Sequence, residues 1–115
     1  MATRAIRTVE PGITILEITG RLNVGTHLSQ TQSQISELIH MGSRKLILDL
    51  SKLDYIDSAS IGMLIGAQKE MVEGGGAMRI AGAQGPAGRT LQLIHMEKIM
   101  PVDADVATAQ NALTA

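Results

Sequence analysis

The sequence predicts one α/β domain over residues 1–115, with a mixed, mainly parallel sheet, an N-terminal hairpin and about four helices. Three observations predict it. Short apolar or β-branched runs alternate with segments of helical period along the chain, the pattern of strands joined by crossover helices. Lys45-Leu46-Ile47-Leu48-Asp49-Leu50 is nearly continuously apolar, as a strand covered on both faces would be. Two strand-like runs flank Glu10-Pro11-Gly12, a turn short enough to join them as a hairpin.

The elements follow in order. Residues 4–9, Arg-Ala-Ile-Arg-Thr-Val, roughly alternate between apolar and polar and read as the first strand. Residues 13–19, Ile-Thr-Ile-Leu-Glu-Ile-Thr, are rich in β-branched side chains and read as the second. Gly20 is expected to open a loop, Gly-Arg-Leu-Asn-Val-Gly. Thr26 then caps a helix that runs to about Met41 and stops at Gly42. Leu28, Ile35, Leu38 and Ile39 share one face of it. The Ser-Gln-Thr-Gln-Ser-Gln run from Ser29 to Gln34 gives a polar, nearly uncharged face, read as solvated or as an adaptable contact surface.

The central strand Lys45 to Leu50 is followed by a turn at Ser51-Lys52 and a short strand, Leu53 to Ile56. Asp57-Ser58 opens a second helix, with Ile61, Leu64, Ile65, Gln68 and Val72 at helical spacing and a stop at Gly74-Gly75-Gly76. Ala77 to Ala81 is a short strand. Gly85-Pro86 starts a third helix, proline being favoured in a first turn, with Leu91, Ile94 and His95 near one face and His95 partly buried. Ile99 to Val102 reads as a last strand or an extended link, and Asp103 or Asp105 starts a final helix through Ala112.

Composition narrows the chemistry. Hydrophobic residues make up 44%, enough for one core. A formal net charge of −1 provides no basic field for a nucleic-acid backbone or an anionic membrane. The absence of cysteine removes disulfides, thiolate catalysis and thiolate-bound zinc. No apolar stretch approaches the ~20 residues of a membrane-spanning helix, and Met-Ala-Thr-Arg-Ala lacks the apolar centre of a signal peptide. The expectation is a soluble cytoplasmic protein with no cofactor. Tyr55 is the only aromatic residue, so stacking of bases or sugars has no platform.

Several kinds of site fail on spacing. His27, His40 and His95 stand in separate segments, without a second ligand three or four residues further on. Gly74-Gly75-Gly76 follows a helix where a phosphate loop would precede one, and Gly82, Gly85 and Gly88 match neither a dinucleotide fingerprint nor a Walker loop. Ser58 is not framed as Gly-x-Ser-x-Gly, so a hydrolase elbow is not indicated. What remains is Asp57-Ser58, at the junction of an apolar strand and a helix. Either residue can cap the helix. Equally, a phosphate on Ser58 would meet free N–H groups and the positive end of the helix dipole, so the fold would tolerate it while the surface gained roughly −1.5 to −2 charges.

The segment Leu-Asp-Tyr-Ile-Asp-Ser-Ala-Ser-Ile-Gly-Met-Leu-Ile-Gly-Ala, Leu53 to Ala67, resembles the phosphorylation segment of the STAS family, in particular the bacterial anti-sigma-factor antagonists. Ile18 to Thr26 is similar to that family's Gly-x-Leu-Asp loop, Lys45 to Asp57 to its central strand, and Glu73 to Gly82 to its Gly-Gly and following strand. The resemblance covers essentially the whole chain. It implies a STAS-like fold and a non-enzymatic protein whose unmodified form binds an anti-sigma factor that is also a serine kinase, so releasing a sigma factor. Phosphorylation by that kinase weakens the complex, and a phosphatase restores the active form. By position the acceptor is Ser58, supported by Asp57. Asn23, Val24, Ile56, Ser60, Ile61 and Met63 fall around it as candidate partner-binding residues.

Three positions depart from the family pattern. Ala59 replaces a common second serine, Ser60 replaces a common glycine and supplies another hydroxyl, and Asn23 replaces a frequent aspartate. Two other roles stay open at this point: a STAS scaffold subunit of a larger signalling complex with no phospho-switch, and a nucleotide or small-ligand module near Gly82 to Gly88.

Overall fold

β-Branched residues favour pleated pairing. The computed structural model, which describes residues 2–9 and 12–114, pairs β1 (Ala2–Val9) with β2 (Ile13–Leu22) as an antiparallel hairpin. Glu10 and Pro11 of the expected turn lie outside the described residues. The chain continues through α1 (Thr26–His40), β3 (Lys45–Asp49), β4 (Leu53–Ile56), α2 (Ser58–Glu73), β5 (Ala77–Ala81) and α3 (Gly85–Leu93). A 3-10 turn (Met96–Lys98), β6 (Val102–Asp103) and α4 (Val106–Thr114) complete it. The sheet runs β1-β2-β3-β5-β6, with β4 beside the far end of β2. All pairings except the hairpin are parallel. This is the mixed, mainly parallel α/β architecture that the alternating pattern predicts, with four α-helices.

Both faces of the sheet are covered, unequally. On one side Leu16, Ile18 and Leu22 of β2 and Leu46 and Leu48 of β3 pack with Ile35 and Ile39 of α1, with Leu64 and Met71 of α2 and with Leu91 of α3. On the other, Ile13, Ile15 and Ile47 meet Ala109 of α4. β3 sends alternate side chains into both clusters, which is why its sequence is apolar throughout. Each such buried Leu or Ile contributes roughly 1.5–3 kcal/mol. In the absence of Phe and Trp, buried methionines (Met63, Met71, Met78, Met96 and Met100) fill the gaps between the branched side chains.

Polar ties fix the margins. Arg4 on the edge strand reaches across α1, its guanidinium donating to Gln34 Oε1 at 2.9 Å, Gln30 Oε1 at 3.2 Å and Thr31 Oγ1 at 3.4 Å. Arg79 and Asp103 form a two-bond pair, Nε to Oδ2 at 2.7 Å and Nη2 to Oδ1 at 3.0 Å, that anchors the two-residue β6 against β5. The Asp103 carboxylate beside it raises the pKa of Arg79. Asp105 caps α4 by accepting the Thr108 N–H at 2.8 Å.

Five local expectations are corrected. β2 does not end at Gly20: it shifts register between Gly20 and Arg21 and runs on to Leu22. β3 stops at Asp49, so β4 takes up the rest of β2's hydrogen-bonding groups, and Gly20, at φ 98, accommodates the change of partner. The N-cap of α1 is Gly25, not Thr26, because the backbone there turns through φ 138. The polar face of α1 is not wholly solvated: Thr31 is buried under Arg4. On α2 the inward stripe includes Ala67 and Met71, while Val72 is exposed. His95 is neither helical nor buried, since α3 ends at Leu93 and His95 turns the chain into the 3-10 segment at φ 57.

Candidate functional site

α2 begins where the sheet ends. Leu22 and Ile56 are paired at the last register position of β2 and β4. Asp57, in extended backbone (φ −101, ψ 174), is the N-cap of α2. Its Oδ1 accepts the Ser60 N–H at 2.8 Å, the expected cap. Its Oδ2 accepts the N–H of Val24, in the loop between β2 and α1, also at 2.8 Å. The Leu22 carbonyl receives two more donors, the Asp57 N–H at 3.2 Å and the Ser60 hydroxyl at 3.0 Å. Four hydrogen bonds thus join the end of β2, the following loop and the first turn of α2. Desolvation pushes the Asp57 carboxyl up, but hydrogen bonds from Ser60 and from Val24 N–H outweigh it and hold Asp57 below its ordinary 3.8.

Ser58 is the first residue of α2 and is exposed. Its hydroxyl makes no hydrogen bond among the described residues. It stands at the helix end that carries partial positive charge and unpaired N–H groups. Ser60 has the opposite environment: it is fully buried and its hydroxyl is already engaged. A hydroxyl in that position meets another protein's active site only if the first turn of α2 opens.

The other candidate residues divide by depth. Val24 is 73% exposed, a large apolar side chain facing solvent beside the cap. Asn23 is half-buried. Ile56, Ser60, Ile61 and Met63 are buried and form the floor beneath the surface, not the surface itself. Their sequence proximity to Ser58 does not place them outward: Ile56 points inward from the end of β4, and the helical period turns Ser60, Ile61 and Met63 into the core. The outward positions are Val24, Ser58, Ala59 and Gly62, continued one turn further by Gly66. A Cβ at Gly62 or Gly66 would meet nothing within 4 Å. The link from Asp57 to the loop joins residues 33 positions apart and involves a backbone donor, so no local sequence signal reveals it.

The STAS domain profile matches residues 4–109. The chain belongs to the STAS domain family. Over 105 residues this STAS chain is 30% identical to an anti-sigma F factor antagonist of Paenibacillus polymyxa, an alignment covering 90% of this chain and 86% of that protein. Its fold matches an anti-sigma factor antagonist from Mycobacterium paratuberculosis with a TM-score of 0.88 at 19% identity, covering 100% of this chain and 96% of that one. It also matches the phosphorylated form of the Bacillus cell fate determinant SpoIIAA, with a TM-score of 0.73 at 19% identity and coverage of 96% and 99%. Among the described residues of this STAS domain, no helix is long and apolar enough to cross a membrane, and no three His, Asp or Glu residues are grouped to hold a metal ion.

Proposed function

We propose that this STAS protein is an anti-sigma-factor antagonist switched by phosphorylation of Ser58. The unmodified form binds an anti-sigma factor that is also a serine kinase, and phosphorylation ends the complex until a phosphatase reverses it. The observation that carries the reading is the contrast between two neighbouring serines: Ser58 is exposed with an unengaged hydroxyl at a helix N-terminus, while Ser60 is buried and bonded to Leu22. Support comes from the 30% identical relative named as an anti-sigma F factor antagonist, and from the fold shared with a protein characterised in a phosphorylated form.

The surface suits close approach by another protein. Ser58, Gly62 and Gly66 recur every fourth residue, so they follow one exposed strip of α2 with a drift of ~40° per step. Glycine inside a helix costs roughly 1 kcal/mol relative to alanine, and no internal contact demands it at these two positions. A partner backbone lying against the strip accounts for that cost. Catalysis is assigned to the partner: phosphoryl transfer needs ATP, magnesium and a group to orient the hydroxyl. The cleft lined by Ala83, Gly88, Leu91, Gln92, Glu97 and Val102 holds about 60 Å³, well below the ~300 Å³ at which small-ligand pockets begin. In this reading the protein is substrate and binder, acting in the cytoplasm with the transcription machinery.

Mapping phosphate by mass spectrometry after incubation with the host's anti-sigma factor kinase and MgATP tests the reading. Label is expected on Ser58 and absent from Ser58→Ala, which still binds the kinase. Label confined to Ser60, or no label together with a stable large assembly by light scattering, would replace the switch with a scaffold role.

A further inference from the structure

The Asp57 carboxylate has two oxygens and serves two elements, and only one of those services is helix capping. The second bond holds the amide of Val24, whose side chain is among the most exposed large apolar groups of the chain. Among the described residues, no other hydrogen bond ties the loop between its ends, Leu22 and the Gly25 N-cap of α1, to this end of the sheet. With the bond, Val24 and Ser58 are referred to the same carboxylate and hold a fixed relation to each other. Ser60 reinforces the arrangement from below by donating to the carbonyl of Leu22, the residue from which the loop departs.

We propose that Asp57 is a positioning residue for partner recognition: through the Val24 amide it holds the loop beside the phospho-acceptor, so that an anti-sigma factor meets Val24 and Ser58 as one preorganised surface. This rests on the antagonist reading of the site. A loop already in its bound position loses less freedom on association, so the bond contributes to affinity as well as to fold stability.

Asn and Ser are both good N-caps with a single acceptor oxygen. Asp57→Asn and Asp57→Ser therefore keep the Ser60 bond and release Val24. By NMR, exchange of the Val24 amide should rise about tenfold or more in at least one of them while the Ser60 amide stays protected. In that variant, affinity for the purified anti-sigma factor kinase of the same bacterium should fall by about tenfold. Val24→Ala should lower affinity as well, and adding the Asp57 substitution to it should cost little more, because both act through one side chain. Val24 protection unchanged in both Asp57 variants overturns the proposal. So does a released Val24 with wild-type affinity, or losses from the two sites that simply add. Failure of the wild-type protein to bind the kinase at all is a different result, and rejects the antagonist reading instead.

Discussion

At Ser58 and Asp57, two neighbouring polar residues have been given different tasks by their surroundings. Ser58 keeps a free hydroxyl in solvent, and Asp57 spends both oxygens on backbone donors. Ser58→Asp or Ser58→Glu should therefore weaken kinase binding by about tenfold. Thermal unfolding of the same variants should be nearly unchanged, since a helix N-terminus favours an anion by only ~0.3–1 kcal/mol. A severe loss of stability with intact affinity would reverse the assignment. Asp57→Ala removes the cap and should cost about 0.5–2 kcal/mol in denaturant titration. That difference depends on pH. The folded pKa of Asp57 lies below its ordinary 3.8, so its contribution is complete above that value and is lost as pH falls through the lower folded value. The stability gap between wild type and Asp57→Ala should accordingly narrow on acidification below about pH 3.8, and a gap that widens there would contradict the cap.

The helices separate what local sequence specifies from what only the assembled fold decides. The limits of α2 and the start of α3 follow from Asp57, Gly74 and Gly85-Pro86, local signals of cap, stop and first turn, and they fall where expected, whereas α3 ends at Leu93, short of the expected His95. The phase of α2 was less legible: Val72 and Met71 are both apolar, and the contacts of neighbouring elements decide that Met71 turns inward. The change of partner along β2 was also hidden, because it depends on where β3 stops. Glycines tell the same story. Gly62→Ala and Gly66→Ala have room for the methyl and should each raise stability by roughly 0.5–1 kcal/mol, while lowering affinity for the kinase if a backbone lies on the strip. Gly76→Ala should destabilise, because its Cβ would come within 2.5 Å of Met71 Sδ and 2.8 Å of the Arg44 carbonyl. Chemical denaturation of the three variants checks the order, and a destabilised Gly62→Ala would remove the case for an external demand.

Across the whole molecule, the candidate site lies at one end of a mixed, mainly parallel sheet whose central strand is buried on both faces. The apolar run of β3 and the alternation of strand and helix made that architecture readable from sequence. The pair Asp57-Ser58 was readable as a strand–helix junction, and the resemblance of its segment suggested the role proposed for it. The bond from Asp57 to Val24 and the burial of Ser60 against the Leu22 carbonyl were not readable, since both arise from contacts between segments distant in sequence. A rigid junction predicts a switch that works by changing surface charge without remodelling the core. The most direct measurement is the affinity of the anti-sigma factor kinase for unmodified protein and for protein stoichiometrically phosphorylated on Ser58, with the thermal midpoint of each form recorded alongside. Binding weakened by about tenfold or more, which is ~1.4 kcal/mol, with midpoints within a few degrees is the predicted result. Equal affinities, or a phosphorylated form that has lost its cooperative unfolding, would contradict it.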